Sequence, residues 1–403
     1  MSKPWLLIAL PLLLAACATV PPEPTGRSGV VCYGPACCDN PRALAFEPHR
    51  LNCESIARRS QGEHEQAWKL LNDAIAAARA VESTEAEPAR EVLCYTLNDA
   101  GHGHDGRGDV DAARAAFDGG LAACRARFGE ESKETAQAAY SRGNFRLGIG
   151  EASAEVAGDL DTAIRIFEAL DLQGLRAIAL DARGRLADMQ GRYADGERLL
   201  REALEIKRTA FGEQSVEFGT TLTNLGANAI ERGDMAQGAT WYLAAMDSYR
   251  VDPGPDSDRY LGVAAGLAST WLAMEEYAKA GPLYEELVEA SRRVFGADDE
   301  RHVTLLNDHA VLHFRQGDAA RAQALFAAAL EVRQRTRPNA IYTAWTALNT
   351  AQAAMQADGC DAALPYARTA QDILARVDAG TSQTERDELA QRLDEFRKTC
   401  PPR

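Results

Sequence analysis

The stretch AVLHFRQGDAARAQALF (residues 310–326) places one glycine, Gly317, between two apolar patterns of helical spacing. A glycine at that point ends one helix and lets the chain reverse before the next helix begins. Ala310 lies seven residues before the glycine and Ala322 lies five residues after it, so small side chains stand where two paired helices approach most closely. Phe326, four residues beyond Ala322, fills the space beside them. The stretch therefore predicts a helix hairpin.

The same pattern recurs along the chain with a period of 42 residues. The turn position is occupied in succession by Gly191, Gly233, Glu275, Gly317 and Gly359. A second series of breakers follows the first by 21 residues, at Gly212, Gly254, Gly296 and Pro338. A fixed period is the signature of a repeat architecture, and an irregular helical bundle would not keep two series in register. We therefore predict helix hairpins stacked along the chain.

Less regular copies of the hairpin precede this region, and an amphipathic helix follows it. The upstream copies are GEHEQAWKLL (62–71), GDVDAARAAF (108–117) and GDLDTAIRIF (158–167), each opening at a turn. Near the C-terminus, QTERDELAQRLDEFRK (383–398) has one apolar face and charged residues elsewhere, as the cap of a solenoid requires. The prediction is an all-α fold, with about eight hairpins over residues 43–380 and a capping helix and tail over residues 381–403.

Two short motifs match the pattern of a known repeat family. NLG (224–226) has the Leu-Gly pair of a first helix, and AQALF (322–326) has the small and aromatic residues of a second helix. The chain therefore resembles tetratricopeptide-repeat proteins, and its 42-residue period and FG connections resemble the longer repeat of kinesin light chain-type proteins. The resemblance implies a right-handed α-solenoid whose first helices line a concave wall that binds extended peptides or a partner's helix.

The resemblance also nominates binding residues on that wall, because an Asn of the first helix often holds the peptide backbone in this family. The matching stretches are TLTNLG, TLLNDHA and TALNTAQ. The candidates are Asn224, Asn307 and Asn349, with Thr223 and Asp308 beside them, Arg185 in the preceding unit and Leu272 on the wall. An Asn in a first helix can equally bond its own neighbours. Because the exposed wall positions are small or apolar, we expect an apolar or helical ligand segment before a charged one.

The N-terminal stretch PWLLIALPLLLAAC (4–17) follows a single positive charge and is too short to span a membrane. Its composition predicts a secretory signal over residues 1–16. Residues 14–17, LAAC, resemble the bacterial lipobox, which implies cleavage before Cys17 and lipid on Cys17, followed by a tether and a cysteine-rich segment over residues 17–42. Because Ala18 stands where an Asp retains lipoproteins in the inner membrane, the expected location is the periplasmic face of the outer membrane. The alternative is an ordinary secreted protein.

Eight cysteines remain beyond Cys17, an even number in a compartment where disulfides form. Cys94 and Cys124, expected at the start and the end of the second hairpin, are predicted to pair. A capping helix that runs back along the last hairpin brings Cys400 to Cys360. The other four, Cys32, Cys37, Cys38 and Cys53, favour two further disulfides in which Cys53 pairs with Cys37 or Cys38. A zinc site is a second interpretation, although its spacing is poor, and partly free thiols are a third.

Candidate catalytic constellations in the sequence are better explained by the repeats. In HVTLLNDHAVLH (302–313), His309 and His313 fall on packing positions of a helix, and no Glu follows His309 as in a zinc protease. GHGHDGRGD (101–109) ends in a repeat turn and fails the calcium-loop pattern at Arg107. A net charge of −15 disfavours nucleic acid as a partner. We predict no enzymatic activity, no cofactor and no metal ligand set.

The function predicted from the sequence is that of a lipid-anchored adaptor. It binds other envelope proteins or peptides through the wall of first helices and touches the membrane through its lipid anchor alone. The alternative function is a redox- or metal-responsive module built on the N-terminal cysteines. The sequence leaves the oligomeric state open.

Overall fold

The computed structural model describes residues 38–377 and 380–401 of the chain. The predicted signal segment and the predicted roles of Cys17, Cys32 and Cys37 lie outside the described residues. The chain divides into two compact units, Met1–Gly212 and Glu213–Arg403, and each is described by itself. All regular secondary structure in the described part of both units is helical.

The first unit contains one short helix and four helix hairpins among its described residues. Its helices are α1 (Pro41–Leu44), α2 (Glu47–Ser60), α3 (His64–Val81), α4 (Ala86–Asp105), α5 (Val110–Phe128), α6 (Lys133–Gly148), α7 (Ala154–Ala169), α8 (Gln173–Met189) and α9 (Tyr193–Ala210). From α2 onward, consecutive helices pair as α2 with α3, α4 with α5, α6 with α7, and α8 with α9.

The second unit contains four hairpins and a final helix. Its helices are α10 (Val216–Glu231), α11 (Met235–Val251), α12 (Asp258–Ala273), α13 (Tyr277–Phe295), α14 (Glu300–Arg315), α15 (Ala319–Thr336), α16 (Ile341–Asp358), α17 (Cys360–Leu374) and α18 (Gln383–Thr399). The eight hairpins of the described residues and the capping helix α18 confirm the predicted all-α solenoid architecture. None of the described helices has the length and apolar character needed to cross a bilayer.

The predicted turn positions adopt left-handed backbone conformations. Gly191, Gly233, Gly317 and Gly359 all have φ between +74° and +92°. Glu275, the one residue of this series that is not glycine, has φ of +60°. A side chain rarely adopts this conformation, so the register of the repeat overrides the preference of the residue at position 275.

The upstream turns are more regular than the sequence predicts. Gly108, Gly129, Gly150 and Asp171 follow one another at 21-residue intervals, and all four have positive φ. The prediction that GDLDTAIRIF opens at a turn is wrong, because Gly158 lies inside α7. The physical reason is the N-cap: the side chain of Ser153 accepts a hydrogen bond from the backbone N–H of Val156 at 3.3 Å and starts the helix earlier.

Three of the four first helices of the second unit begin at a capping residue that also follows the 42-residue period, and α16, which begins after Ala340, is the exception. Ser215, Ser257 and Asp299 are the N-caps of α10, α12 and α14, and each side chain accepts a backbone N–H of the first turn. Such caps satisfy donors that a helix leaves unpaired at its start. The period therefore fixes both where a first helix starts and where it turns into the second.

Three disulfides lie in the described residues, and they join Cys38 to Cys53, Cys94 to Cys124, and Cys360 to Cys400. The sequence predicts Cys94 at the start of its helix, and this prediction is wrong, because α4 begins eight residues earlier at Ala86. The bond forms because α4 and α5 run antiparallel side by side, with the Cα atoms of the two cysteines 4.6 Å apart. The last bond ties α18 to the start of α17.

Candidate functional site

The first helices of successive hairpins contact one another within each unit. These contacts join α2 to α4, α4 to α6 and α6 to α8 in the first unit, and α12 to α14 in the second. Side chains on neighbouring first helices therefore share one wall. The predicted binding residues all lie on first helices: Arg185 on α8, Thr223 and Asn224 on α10, Leu272 on α12, Asn307 and Asp308 on α14, and Asn349 on α16.

The wall formed by α12 and α14 has a polar patch that we call the α12–α14 patch, made of Ser269, Leu272, Tyr284, Asn307 and Asp308. Ser269 is exposed on α12, Leu272 is half-buried one turn further along, and Asn307 and Asp308 are half-buried on α14. Tyr284 reaches the patch from α13, where its side chain is fully buried. The patch thus combines residues of three helices.

The Tyr284 hydroxyl is a buried polar group at this patch. Burial raises the pKa of Tyr284 well above its usual range, the nearby Asp308 carboxyl raises it further, and the Ser269 hydroxyl acts in the opposite direction. Within the described residues, no group completes a hydrogen bond to Oη in both distance and angle. Because an unpartnered buried hydroxyl costs about 1–3 kcal/mol, this arrangement lowers the stability of the free protein.

Asn307 and Asp308 supply two acceptors beside that hydroxyl. Asn307 Nδ2 donates to Asp308 Oδ1 at 3.4 Å, while the buried Asn307 Oδ1 has no hydrogen-bond partner among the described residues. Burial raises the pKa of Asp308 to about 6, against the lowering effects of the Asn307 hydrogen bond and of the Arg333 charge. The patch therefore has one unpaired acceptor, Asn307 Oδ1, and one unpaired hydroxyl, Tyr284 Oη, which the N–H and C=O groups of a ligand backbone would satisfy.

The other candidates on the wall are less distinctive. Thr223 Oγ1 donates to the backbone oxygen of Gly219 at 2.9 Å, so its hydroxyl serves its own helix. Asn224 and Asn349 are half-buried on α10 and α16. Asn307 fits both the binding and the local interpretation, since its amide nitrogen bonds a neighbour and its oxygen does not.

Arg185 belongs to the first unit and has a separate polar environment. Its Nη1 donates to Asn144 Oδ1 at 3.4 Å, a bond from α8 to α6. Burial lowers the pKa of Arg185, and the nearby Tyr140, Asp181 and Asp188 oppose that shift. Burial also raises the pKa of Tyr140 to about 12. Arg185 and Tyr140 thus form a buried polar group on the first helices α8 and α6 of the first unit.

The histidines of α14 are part of the packing, as the sequence analysis favours. His309 and His313 place their Nε2 atoms 3.1 Å apart, and His309 stacks on the Tyr284 ring with 6.0 Å between centroids. Burial, reinforced by the neighbouring His313, lowers the pKa of His309 to about 4. His302 Nδ1 lies 2.9 Å from the Ser291 hydroxyl oxygen, within hydrogen-bond distance. At neutral pH one neutral ring of the pair donates to the other.

Ser269 and Tyr284 are not among the binding residues predicted from the sequence. Tyr284 stands four residues after Ala280, in the aromatic position of the second helix, and that position predicts packing alone. The feature that distinguishes Tyr284 in the sequence is its hydroxyl, because packing at this position of the repeat requires only an apolar side chain. A polar atom at a packing position of the repeat can therefore indicate a binding site.

One group of side chains in the described residues could hold a metal ion. It consists of Cys38, His49 and Cys53, whose ligand atoms all lie within 4.8 Å of one another. Cys38 and Cys53 are joined as a disulfide, so the sulfurs cannot act as thiolate ligands in this state. The cysteines are among those of the zinc interpretation drawn from the sequence, whereas His49 is not predicted as a ligand.

Comparison with known families identifies the repeats. Residues 260–326 and 301–376 match one model of the tetratricopeptide repeat, and residues 176–217 match another. The chain therefore contains tetratricopeptide repeats in both of its units. No curated protein sequence shows significant similarity to the chain.

Several solved structures have a similar fold. The apo form of the quorum sensor NprR from B. thuringiensis has 12% identity and a TM-score of 0.58, and the match covers 84% of this chain and 97% of that chain. A Rap protein complexed with Competence and Sporulation Factor has 13% identity and a TM-score of 0.52, with 88% of each chain covered. Kinesin light chain TPR-like repeats from Podosopora anserina have 13% identity and a TM-score of 0.46 over 50% of this chain and 96% of theirs.

Proposed function

We propose that this protein is a lipid-anchored adaptor that binds protein or peptide partners on the wall of its first helices, at the periplasmic face of the outer membrane. The tetratricopeptide-repeat fold is that of a protein-interaction scaffold. The observation that carries the proposal is the α12–α14 patch, where the acceptor Asn307 Oδ1 and the hydroxyl Tyr284 Oη have no hydrogen-bond partner among the described residues. Structural packing alone gives no reason to keep such groups buried.

The chemistry of the patch indicates the kind of segment that it binds. Asn307 Oδ1 and the Asp308 carboxyl accept hydrogen bonds, and both suit the backbone N–H groups of a peptide. Leu272 offers an apolar contact on the neighbouring helix. We therefore propose a peptide segment that combines an apolar side chain with exposed N–H donors. A related fold has been solved with a bound factor, the Rap protein complexed with Competence and Sporulation Factor.

A photo-crosslinking experiment in cells tests the binding surface. A photoreactive amino acid at Ser269, which is exposed on the patch, is expected to capture one or a few discrete partners. The matched control is Glu286, which is exposed on the second helix of the same hairpin. Equal capture from both positions, or capture from Glu286 alone, would contradict the proposal. Leu272→Lys is expected to reduce the amount captured from Ser269.

The lipid anchor is tested separately. Metabolic labelling with a palmitate analogue is expected to label the chain, and Cys17→Ser is expected to abolish the label and to release the protein from sedimented membranes. Several acyl chains on one residue hold a protein far more firmly than a single chain does. A Cys17→Ser variant that stays on the membrane would contradict the anchor and leave the binding surface unaffected.

A further inference from the structure

The start of the first hairpin brings three metal-binding side chains together. His49 and Cys53 lie one turn apart on α2, and His49 Nε2 is 3.4 Å from Cys53 Sγ. Cys38, which is half-buried before α1, closes the group, and the Cα atoms of Cys38 and Cys53 are 5.5 Å apart. His49 is fully buried, so this imidazole is held in place beside the sulfurs.

The distances match those of a tetrahedral zinc site in which two of the ligands are thiolates. With Zn–S of about 2.3 Å and Zn–N of about 2.0 Å, a ligand nitrogen and a ligand sulfur lie about 3.5 Å apart. The observed separation of 3.4 Å between His49 and Cys53 already fits. The two sulfurs would have to separate to about 3.8 Å. The sulfur of Cys38 can move away from that of Cys53 by this distance, because Cys38 precedes the first helix.

The helix that carries His49 and Cys53 also carries a buried amide without hydrogen-bond partners. Asn52 lies one residue before Cys53 and three residues after His49, and its side chain is 1% exposed. Neither its Nδ2 nor its Oδ1 has a hydrogen-bond partner among the described residues. A buried amide without partners is costly, so a polar group absent from the described residues would stabilise this part of α2.

We propose that Cys38, His49 and Cys53 form a redox-controlled zinc site, closed by the Cys38–Cys53 disulfide and opened by a dithiol reductant. In the first step the dithiol passes two electrons and two protons to the disulfide, which yields two protein thiols and an oxidised dithiol. In the second step Zn²⁺ binds both sulfurs and the neutral imidazole of His49, and two protons are released. The fourth position is left to a water molecule. The site does not depend on the proposed adaptor function.

Metal titration of the full chain tests the site. Zinc binding is measured by competition with a chromogenic chelator, and Co²⁺ is used to detect thiolate-to-metal charge transfer. After reduction with a phosphine, the chain is expected to bind one zinc ion that the oxidised chain does not bind. His49→Gln is expected to weaken zinc binding at least ten-fold. The matched control is the double variant Cys94→Ser/Cys124→Ser, which is expected to bind zinc as the reduced unmodified chain does.

Alkylation mapping gives a second measurement that needs no variant. In the reduced protein, bound zinc is expected to protect Cys38 and Cys53 from iodoacetamide, while Cys94 and Cys124 react at the same rate with and without zinc. The proposal is overturned if the reduced chain keeps its helical circular dichroism and binds no zinc. It is equally overturned if His49→Gln binds zinc with unchanged affinity, or if zinc protects other cysteines instead.

Discussion

The ring of Tyr242 on α11 lies directly against the backbone of Gly226 on α10. A β-carbon built at position 226 would stand 2.5 Å from two ring carbons and 3.3 Å from the backbone oxygen of Gly238. Gly238, opposite, is equally restricted by Ile230 and by the backbone oxygen of Gly226. This close approach explains why small residues recur at the two positions that define the hairpin.

Replacing Gly226 by alanine is therefore expected to lower the free energy of unfolding by about 1–3 kcal/mol, because the added methyl group overpacks the helix pair. The control is Gly262→Ala on α12, where nothing lies within 4 Å of the new β-carbon. That change is expected to stabilise by about 0.5–1 kcal/mol, since alanine favours a helix. Urea unfolding measures both variants, and a Gly226→Ala protein as stable as Gly262→Ala would contradict the close-approach argument.

Glu275→Gly is expected to stabilise the second unit. Glu275 is held at φ of +60°, a conformation that costs a residue with a side chain about 1 kcal/mol and costs glycine little. The expected gain is about 0.5–1 kcal/mol in the free energy of unfolding. The neighbouring change Glu276→Gly is the control, because Glu276 has φ of −80° and gains nothing from glycine. A loss of stability in Glu275→Gly would show that the turn does not strain the side chain.

Asp308→Asn is expected to stabilise the protein in a pH-dependent way. Burial raises the pKa of Asp308 from 3.8 to about 6 in the folded state, so the folded state disfavours the ionised form. The cost is absent below pH 3.8, grows as the pH rises, and is complete above about pH 6. The variant should gain about 3 kcal/mol at pH 8 and nothing at pH 3.5.

Denaturant unfolding across that range checks this prediction. The control is Asp372→Asn on α17, which removes an exposed carboxyl and is expected to change stability by less than about 0.5 kcal/mol at every pH. A gain that is constant with pH would contradict the burial of the Asp308 charge. The same variant is also expected to capture less partner from Ser269, since it loses an ionised acceptor of the patch.

The Cys360–Cys400 disulfide is expected to hold the capping helix in place. Helix α18 contacts α16 and α17 through Leu389, Leu393 and Phe396, all of which are buried. Removing the bond with Cys360→Ser/Cys400→Ser is expected to cost about 2–4 kcal/mol of local stability. Hydrogen exchange should accelerate in α18 and stay unchanged in α12. Cys94→Ser/Cys124→Ser is the control, and equal protection of α18 in both variants would contradict the prediction.

The spacing of residues predicts most of the fold because the turns are set by local backbone chemistry. Gly191 and Gly317 are readable as turns from the sequence alone, and the register even assigns a turn to Glu275. The start of α7 is not readable in this way, because the GD motif at Gly158 imitates a turn while the Ser153 cap decides the helix boundary. Asp171 gives no sequence signal either, since an aspartate at positive φ looks like any other aspartate.

The candidate sites are less predictable because they depend on contacts between helices. The resemblance nominates Asn307 and Asp308, but the unpaired Tyr284 hydroxyl becomes visible only when α13 places it near Asp308. His49 has no motif of its own, and its role as a potential ligand follows from its distance to Cys53. The pairing partner of Cys53, which the sequence leaves as Cys37 or Cys38, is Cys38 in the structure.

The positions of the disulfides have a consequence for how the protein comes apart. Of the three disulfides in the described residues, one lies at the first hairpin, one within the second and one at the last. No cysteine occurs between residues 124 and 360. In a linear array an end repeat has a single neighbour, so fraying begins at the ends. The disulfides in the outer hairpins of the described residues therefore restrict local unfolding, and with it proteolysis, where fraying would begin. The hairpins between them unfold locally without such a restraint.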